Sequence, residues 1–267
     1  MPRDTPAARR NPRLWHHHFP ALRINREVLE AGRERLRAMA SRTFVLDVGC
    51  GQRPFERLFS DSVYIGSDLD RSARVNVVAD NAELPFRSDI FDLVIASETL
   101  EHTLRYEEAV RELVRVTRPG GYVFVSVPFM YPIHGAPFDF QRFTELKLTR
   151  LFDSCEIVEF AVSNSVFSSW LLMVEYSIAA LASRTPLRVL LPWVTGVLNG
   201  IALALDTLIP PVVRFVIGVS HREIRYRSRG KRALPLALES MPSGYALLVR
   251  KPLRKPSAGL GGALKGV

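Results

Sequence analysis

Cysteine is nearly missing from this chain: Cys50 and Cys155 are the only two in 267 residues. A disulfide framework is thereby excluded, and neither thiol belongs to a spacing that would hold a metal, so no metal site is expected. The expected setting is a reducing, intracellular one. No apolar core of signal-peptide length precedes Val45, although Arg3, Arg9, Arg10 and Arg13 stand near the start, and this argues against secretion. His16-His17-His18 lies between Trp15 and Phe19 and reads as the approach to a helix rather than as a metal site. Internal repeats are lacking, as is any basic motif interleaved with aromatics of the kind that binds RNA. Acidic residues are in deficit, 27 against 36 Lys and Arg, for a net charge of +9. That excess calls for an anionic partner. The arginines are dispersed until Arg214, His221, Arg222, Arg225, Arg227, Arg229, Lys231 and Arg232, directly after the most apolar stretch. A basic group beside an apolar segment favours an anionic membrane surface over nucleic acid.

What is present begins at Val45-Leu46-Asp47-Val48-Gly49-Cys50-Gly51. A short apolar run ends in an acid and two glycines, the pattern of a buried strand breaking into a tight turn that a ligand can approach closely. Val63-Tyr64-Ile65-Gly66-Ser67-Asp68 reads as a second strand ending in an acid, at the offset where nucleotide-binding units engage ribose hydroxyls. Further on come Val75 to Val78, the segment Ala79 to Phe86, and the strand Phe91 to Ala96. A helix over Tyr106 to Thr117 stops at Pro119-Gly120-Gly121 and leads into the strand Tyr122 to Pro128. Arg26 to Ala40 has Val28, Leu29, Leu36 and Met39 at helical intervals, which predicts an N-terminal helix packed on the sheet.

This succession resembles the class I S-adenosylmethionine-dependent methyltransferases of the type 11-like branch. The resemblance rests on the LDVGCG turn, the ELPF segment, the LEH loop and the RPGG turn, and covers residues 43 to 162 with a final strand at 244 to 250. A dinucleotide oxidoreductase would want a third glycine where this chain has Pro54. Many relatives carry a small residue or glycine after the turn; Gln52-Arg53-Pro54 here implies a stiffer one.

The resemblance implies an α/β fold, a Rossmann-like doubly wound, seven-stranded, mostly parallel sheet with an antiparallel last strand. It implies S-adenosylmethionine as cofactor, with Asp47, Gly49, Cys50 and Gly51 at its methionine end and Glu98 nearby. Asp68 and Leu69 would meet the ribose, and Asp80, Asn81 and Ala82 the adenine. Bland readings stand beside these: Asp68 as a helix cap, Asp80 as a loop cap. His102 follows the fourth strand, where parallel sheets place their ligands. An imidazole there can deprotonate a hydroxyl near neutral pH, or it can simply shape the pocket. His134 is assigned to the catalytic side with it. The stretch Pro132 to Thr144 resembles the proline- and histidine-rich loop of methyltransferases from glycan and cell-surface biosynthesis. In it Asp139 and Arg142 either clamp an anionic acceptor or pair with each other and stiffen the loop.

Five segments follow: a basic N-terminal segment and helix (1–42), the cofactor-binding core (43–162), an apolar helical insertion (163–240), the last core strand (241–251) and a disordered tail (252–267). Within the insertion Val166 to Ala182 is apolar apart from Glu175, and Val189 to Leu205 has no charge. Pro192, Gly196, Asn199 and Gly200 interrupt the second run, which only just reaches the length needed to span a bilayer. A lid over a lipophilic substrate, helices lying in a membrane interface and a spanning hairpin all remain open. The expected activity is methyl transfer, to oxygen before nitrogen or carbon, on a small, lipid-linked or glycan-linked acceptor. A non-catalytic S-adenosylmethionine-binding protein or a membrane-associated scaffold on the same fold is the alternative.

Overall fold

The computed structural model describes Arg13 and residues 19–40, 42–71, 73–163, 166–182, 185–216 and 242–253. The basic group at 221–232, the histidine run at 16–18 and nearly all of the expected tail lie outside the described residues.

Helix α1 (Phe19–Arg37) precedes the sheet strands β1 (Phe44–Val48), β2 (Val63–Asp68), β3 (Val77–Val78) and β4 (Phe91–Ser97). Helix α2 (Tyr106–Val116), β5 (Thr117–Pro128), α3 (Glu145–Leu151) and β6 (Glu156–Ser163) follow. Two long helices, α4 (Val166–Ala182) and α5 (Leu191–Val216), then precede the last strand, β7 (Gly244–Arg250). The seven strands are ordered β3-β2-β1-β4-β5-β7-β6. Only β7 runs against the others, paired antiparallel to both β5 and β6. The fold is the Rossmann-like α/β sheet that the sequence predicts.

Strand β4 is buried at every position, as a central parallel strand covered on both faces must be. Alternate residues face opposite layers. Leu46, Val94, Val123 and Val125 pack with Ala109, Val110 and Leu113 of α2. Val45, Leu93, Ile95 and Phe124 pack instead with Val28, Leu29 and Leu36 of α1 and with Phe59. Helix α1 starts earlier than its apolar spacing suggests, because Leu22 and Asn25 of its first turns are buried too.

The segment expected as a turn at 119–121 belongs to β5. Thr117 already pairs with Phe91, and the ladder resumes at Leu93 and Tyr122 after a register shift. Thr117 also closes α2, its hydroxyl donating to the Leu113 carbonyl at 2.7 Å. Lys251 finishes the cap: its ammonium donates to the carbonyls of Val114 and Thr117 and pairs with Asp89. A cation is favourable against the free carbonyls of a helix C-terminus. It also ties the end of β7 to α2.

Candidate active site

The glycine turn is built from the end of β1 outward. Gly49 and Cys50 both donate their N–H to the Ser67 carbonyl, at 2.8 and 3.0 Å, which bends the chain across the end of β2. Gly49 has φ +68°, and a Cβ there would lie 2.5 Å from the Thr99 side chain. Gly51 has φ +49° and differs in one respect: a Cβ there would meet no atom within 4 Å. Gly51 therefore presents bare backbone to open space, as a turn that receives a ligand should. Its N–H donates to Asp68 Oδ2 at 2.9 Å, while Asp68 Oδ1 accepts from the Asp70 N–H. The acid at the end of β2 thus both caps its own loop and holds the glycine turn. Leu69, beside it, is 68% exposed.

Two of the expected contact residues lie beneath the turn rather than on it. Asp47 is 1% exposed and accepts a hydrogen bond from the Tyr64 hydroxyl. Burial, and then the Asp47 charge, push the Tyr64 phenol far above its ordinary pKa, so it stays a donor. The Cys50 thiol fits against Gly66, and burial first, Asp47 second, raise its pKa to about 12. Arg53 completes the support with φ +55°; its guanidinium lies over the Tyr64 ring and donates to the Tyr64 carbonyl. The Gln52-Arg53-Pro54 departure is thus a brace under the turn.

Residues 98–105 join the turn to two other loops. Glu98 has φ +51°, a strained conformation for a residue with a Cβ, and its N–H donates to the Ser126 carbonyl. Thr99 packs on Gly49 and donates to the Val48 carbonyl. Thr103 accepts from the Asn81 amide at 3.2 Å. Arg105 pairs with Asp80 at 2.8 Å, and Asp80 also accepts from the Ala82 N–H. That backbone bond, and next Arg105, hold the Asp80 carboxyl below its usual pKa. The Asn81 side-chain oxygen is buried and lacks a hydrogen-bond partner among the described residues. Asp80, Asn81 and Ala82 hence form one braced loop with an acceptor to spare.

The same segment carries Glu101 and His102 against the loop after β5. His102 Nδ1 lies 2.6 Å from the Phe138 carbonyl. His134 Nδ1 lies 3.3 Å from the Pro132 carbonyl and 3.5 Å from the Asp139 carboxylate. The two imidazoles meet edge to face, 4.8 Å between centroids. Each directs Nε2 toward one oxygen of Glu101, both at 3.7 Å. Glu101 is fully buried, and its backbone carbonyl is fixed by the N–H groups of Phe140 and Gln141. Burial disfavours the charged imidazole of His134, but Glu101 and then Asp139 outweigh it and its pKa is raised. Sequence reasoning passed over Glu101, whose only signal was its place in the LEH loop.

Asp139 and Arg142 correct the expectation of an acceptor clamp. Arg142 makes five hydrogen bonds, to the carbonyls of Tyr131, Pro132 and Gln141 and to both oxygens of Asp139. A guanidinium has five N–H donors, so none is left for a ligand. Arg142 first, with the His134 N–H after it, lowers the Asp139 carboxyl to a pKa of about 2. The pair stiffens the loop that presents His134. Beyond it, the Tyr176 hydroxyl of α4 donates to Tyr131, whose ring packs on His134. The insertion therefore reaches the site through two tyrosines.

Comparison with known proteins gives a consistent picture. The model of a methyltransferase domain family matches residues 14–170. A stretch of 104 residues is 34% identical to a tRNA (carboxymethyluridine(34)-5-O)-methyltransferase of Arabidopsis thaliana, covering 34% of this chain and 26% of that protein. Another, of 110 residues, is 30% identical to a malonyl-acyl-carrier-protein O-methyltransferase of Buchnera aphidicola, covering 37% of this chain and 43% of the relative. The matches thus span less than half of these relatives. Among solved structures, the 4+2 cyclase SpnF superposes with a TM-score of 0.51 at 20% identity, over 85% of this chain and 80% of that one. At that identity the likeness concerns the fold.

Proposed function

The chain belongs to the methyltransferase domain family and its cofactor is S-adenosylmethionine, and from that premise we propose that it methylates an oxygen of a small or lipid-linked acceptor at an anionic membrane surface. The carrying observation is the segment 98–105, which touches the glycine turn at Thr99 and the Asp80 loop at Thr103 and Arg105. It also sets the Glu101–His102–His134 corner beside them. When bound, the cofactor supplies a sulfonium methyl group, an electrophile that needs no further activation. Gly51, Asp68 and Asn81 fit it as open backbone, ribose acceptor and adenine-side acceptor. Glu98 borders the same turn. The corner with two imidazoles holds the acceptor oxygen and takes up its proton. Oxygen transfer is what the names of both relatives state for those proteins.

The membrane part of the reading rests on the hairpin of α4 and α5, which buries polar side chains beside Leu172, Ala179 and Ala202 and exposes large apolar ones. Its buried positions include Ser169, Glu175, Thr195 and Asn199, whereas Trp170, Leu181, Trp193 and Val197 are exposed. Trp193 is 78% exposed. An 18-residue window, Arg188–Leu205, is long and apolar enough to cross a membrane by length and composition, and 17% of it is buried. Water is a poor solvent for such a face; lipid is a good one. The basic residues 221–232 come next in the sequence and suit anionic headgroups.

Calorimetry with S-adenosylmethionine and S-adenosylhomocysteine tests the cofactor site, with NADH as control. Micromolar binding that Asp68→Ala weakens at least tenfold is expected; binding unaffected by that change refutes the site. Flotation with vesicles containing anionic lipid, and a blue shift of Trp fluorescence that Trp193→Ser diminishes, test the surface. Protein that stays wholly unbound refutes the membrane assignment. Cofactor binding without transfer to any extracted lipid or small acceptor would favour the non-catalytic alternative.

A further inference from the structure

We propose that Glu101, His102 and His134 form a binding site for a divalent transition-metal ion. One ligand atom from each of these side chains lies within 4.8 Å of the others. Glu101 is the decisive member. It is fully buried, and neither carboxylate oxygen has a hydrogen-bond partner among the described residues. A buried carboxylate without hydrogen-bond partners is costly, and such groups survive where a cation satisfies them.

The histidines are already arranged as ligands. Each turns Nδ1 to a carbonyl, Phe138 for His102 and Pro132 for His134. In the neutral imidazole, with its one ring proton held on Nδ1, the lone pair of Nε2 is free and faces Glu101. Two nitrogen lone pairs and a carboxylate then converge with no donor between them. At 3.7 Å the nitrogens are too far from Oε1 for hydrogen bonds. Bonds of about 2.1 Å to a tetrahedral ion would place neighbouring ligand atoms roughly 3.4 Å apart. The 3.7 Å separations from Glu101 need only a small inward movement, while the group as a whole, within 4.8 Å, must contract by up to about 1.4 Å. Two imidazoles and one carboxylate suit zinc, iron, cobalt or manganese better than calcium, which takes oxygen ligands.

Accessibility is graded in the right sense. The imidazoles are 30% and 28% exposed and Glu101 is closed off, so the ion's remaining positions open toward solvent on the imidazole side. An ion there would lower the pKa of an acceptor hydroxyl bound to it; the histidines would then act as ligands in place of proton acceptors, and the hydroxyl proton would leave to solvent. This role deepens the transfer reading above and rests on it; the binding itself does not.

The test is titration of chelator-treated full-length protein with cobalt(II) chloride, followed by its visible absorption. His16, His17 and His18 are replaced by alanine throughout, since that run could take up metal itself. One equivalent of cobalt with ligand-field bands is expected, weakened at least tenfold by Glu101→Gln and by His134→Gln. No bands, or binding undiminished in a folded Glu101→Gln protein, overturns the site and leaves a shared proton as the cation. If the variants do not fold, diethylpyrocarbonate labelling of the parent decides: cobalt must protect His102 and His134, and labelling unchanged by cobalt overturns the proposal. Cobalt bound without S-adenosylmethionine affinity would sink the transfer reading alone; the reverse result would sink the metal site alone.

Discussion

Gly49 and Gly51 are two residues apart in one turn, yet alanine should fail at each for a different reason. At Gly49 an added Cβ lies 2.5 Å from Thr99 and the backbone is at φ +68°. The left-handed conformation costs an ordinary residue about 1–2 kcal/mol. Overpacking a tight site adds about 1–3 kcal/mol. Gly49→Ala should therefore lose roughly 2–5 kcal/mol in urea denaturation with an unchanged m-value, and about 5–15 °C in Tm. Thr99→Ala in the same chain removes both atoms at 2.5 Å, leaving Thr99 Cβ at 3.1 Å. The double variant should recover about 1–3 kcal/mol, the packing part, and the cycle measures that coupling directly. Gly51→Ala has the backbone cost but no atom within 4 Å to strike, so it should lose only about 1–2 kcal/mol. Its methyl group points where the ligand would lie, and S-adenosylhomocysteine affinity should fall at least tenfold. Equal stability losses at the two positions, or no recovery on removing the Thr99 side chain, would refute the reasoning.

Glu112 should carry part of the acid limb of stability. Arg115 first, and the Leu84 N–H as well, lower its pKa, so its contribution is present above the ordinary carboxyl pKa and is lost as pH falls through the depressed folded value. Glu112→Gln should cost roughly 1–3 kcal/mol at pH 7. The gap from wild type should close toward pH 3, and a constant gap in denaturation across that range would contradict the assignment. Cys50, with a pKa of about 12, should resist iodoacetamide at pH 8 in the folded protein and react on unfolding, as read by mass spectrometry. Rapid alkylation of the native protein would show the turn to be open. Lys251→Met should lose about 2–3 kcal/mol, because the carbonyls of Val114 and Thr117 would lose a charged donor; a loss under about 0.5 kcal/mol in urea would deny it that capping role.

The sheet was legible in the sequence because its central strands, β4 above all, are buried on both faces and so read as continuous apolar runs. The edges of those runs were less so: Phe44 opens β1 exposed, and only the residues after it carry the buried signal. Two features were illegible. Pro192, Gly196, Asn199 and Gly200 look like interruptions, yet α5 runs through all four. Pro192 falls in the first turn, where a missing N–H has no consequence, and Asn199 is buried rather than turned to water. Glu101 was the other. A charge in a loop reads as solvated, and only the fold reveals that loops from two strands close over it. Arg142 likewise gave no sign in one dimension that its neighbours' carbonyls would occupy it.

The strand order carries a consequence for synthesis. β6 pairs with β7 and not with β5, so the strand made sixth is joined to the sheet only through the strand made last. Roughly 80 residues separate the end of β6 from the start of β7, about 4–16 s of translation at ordinary rates. During that interval α4 and α5 emerge while the sheet still lacks its closing member. The apolar hairpin thus meets its surroundings before the domain that carries it is complete.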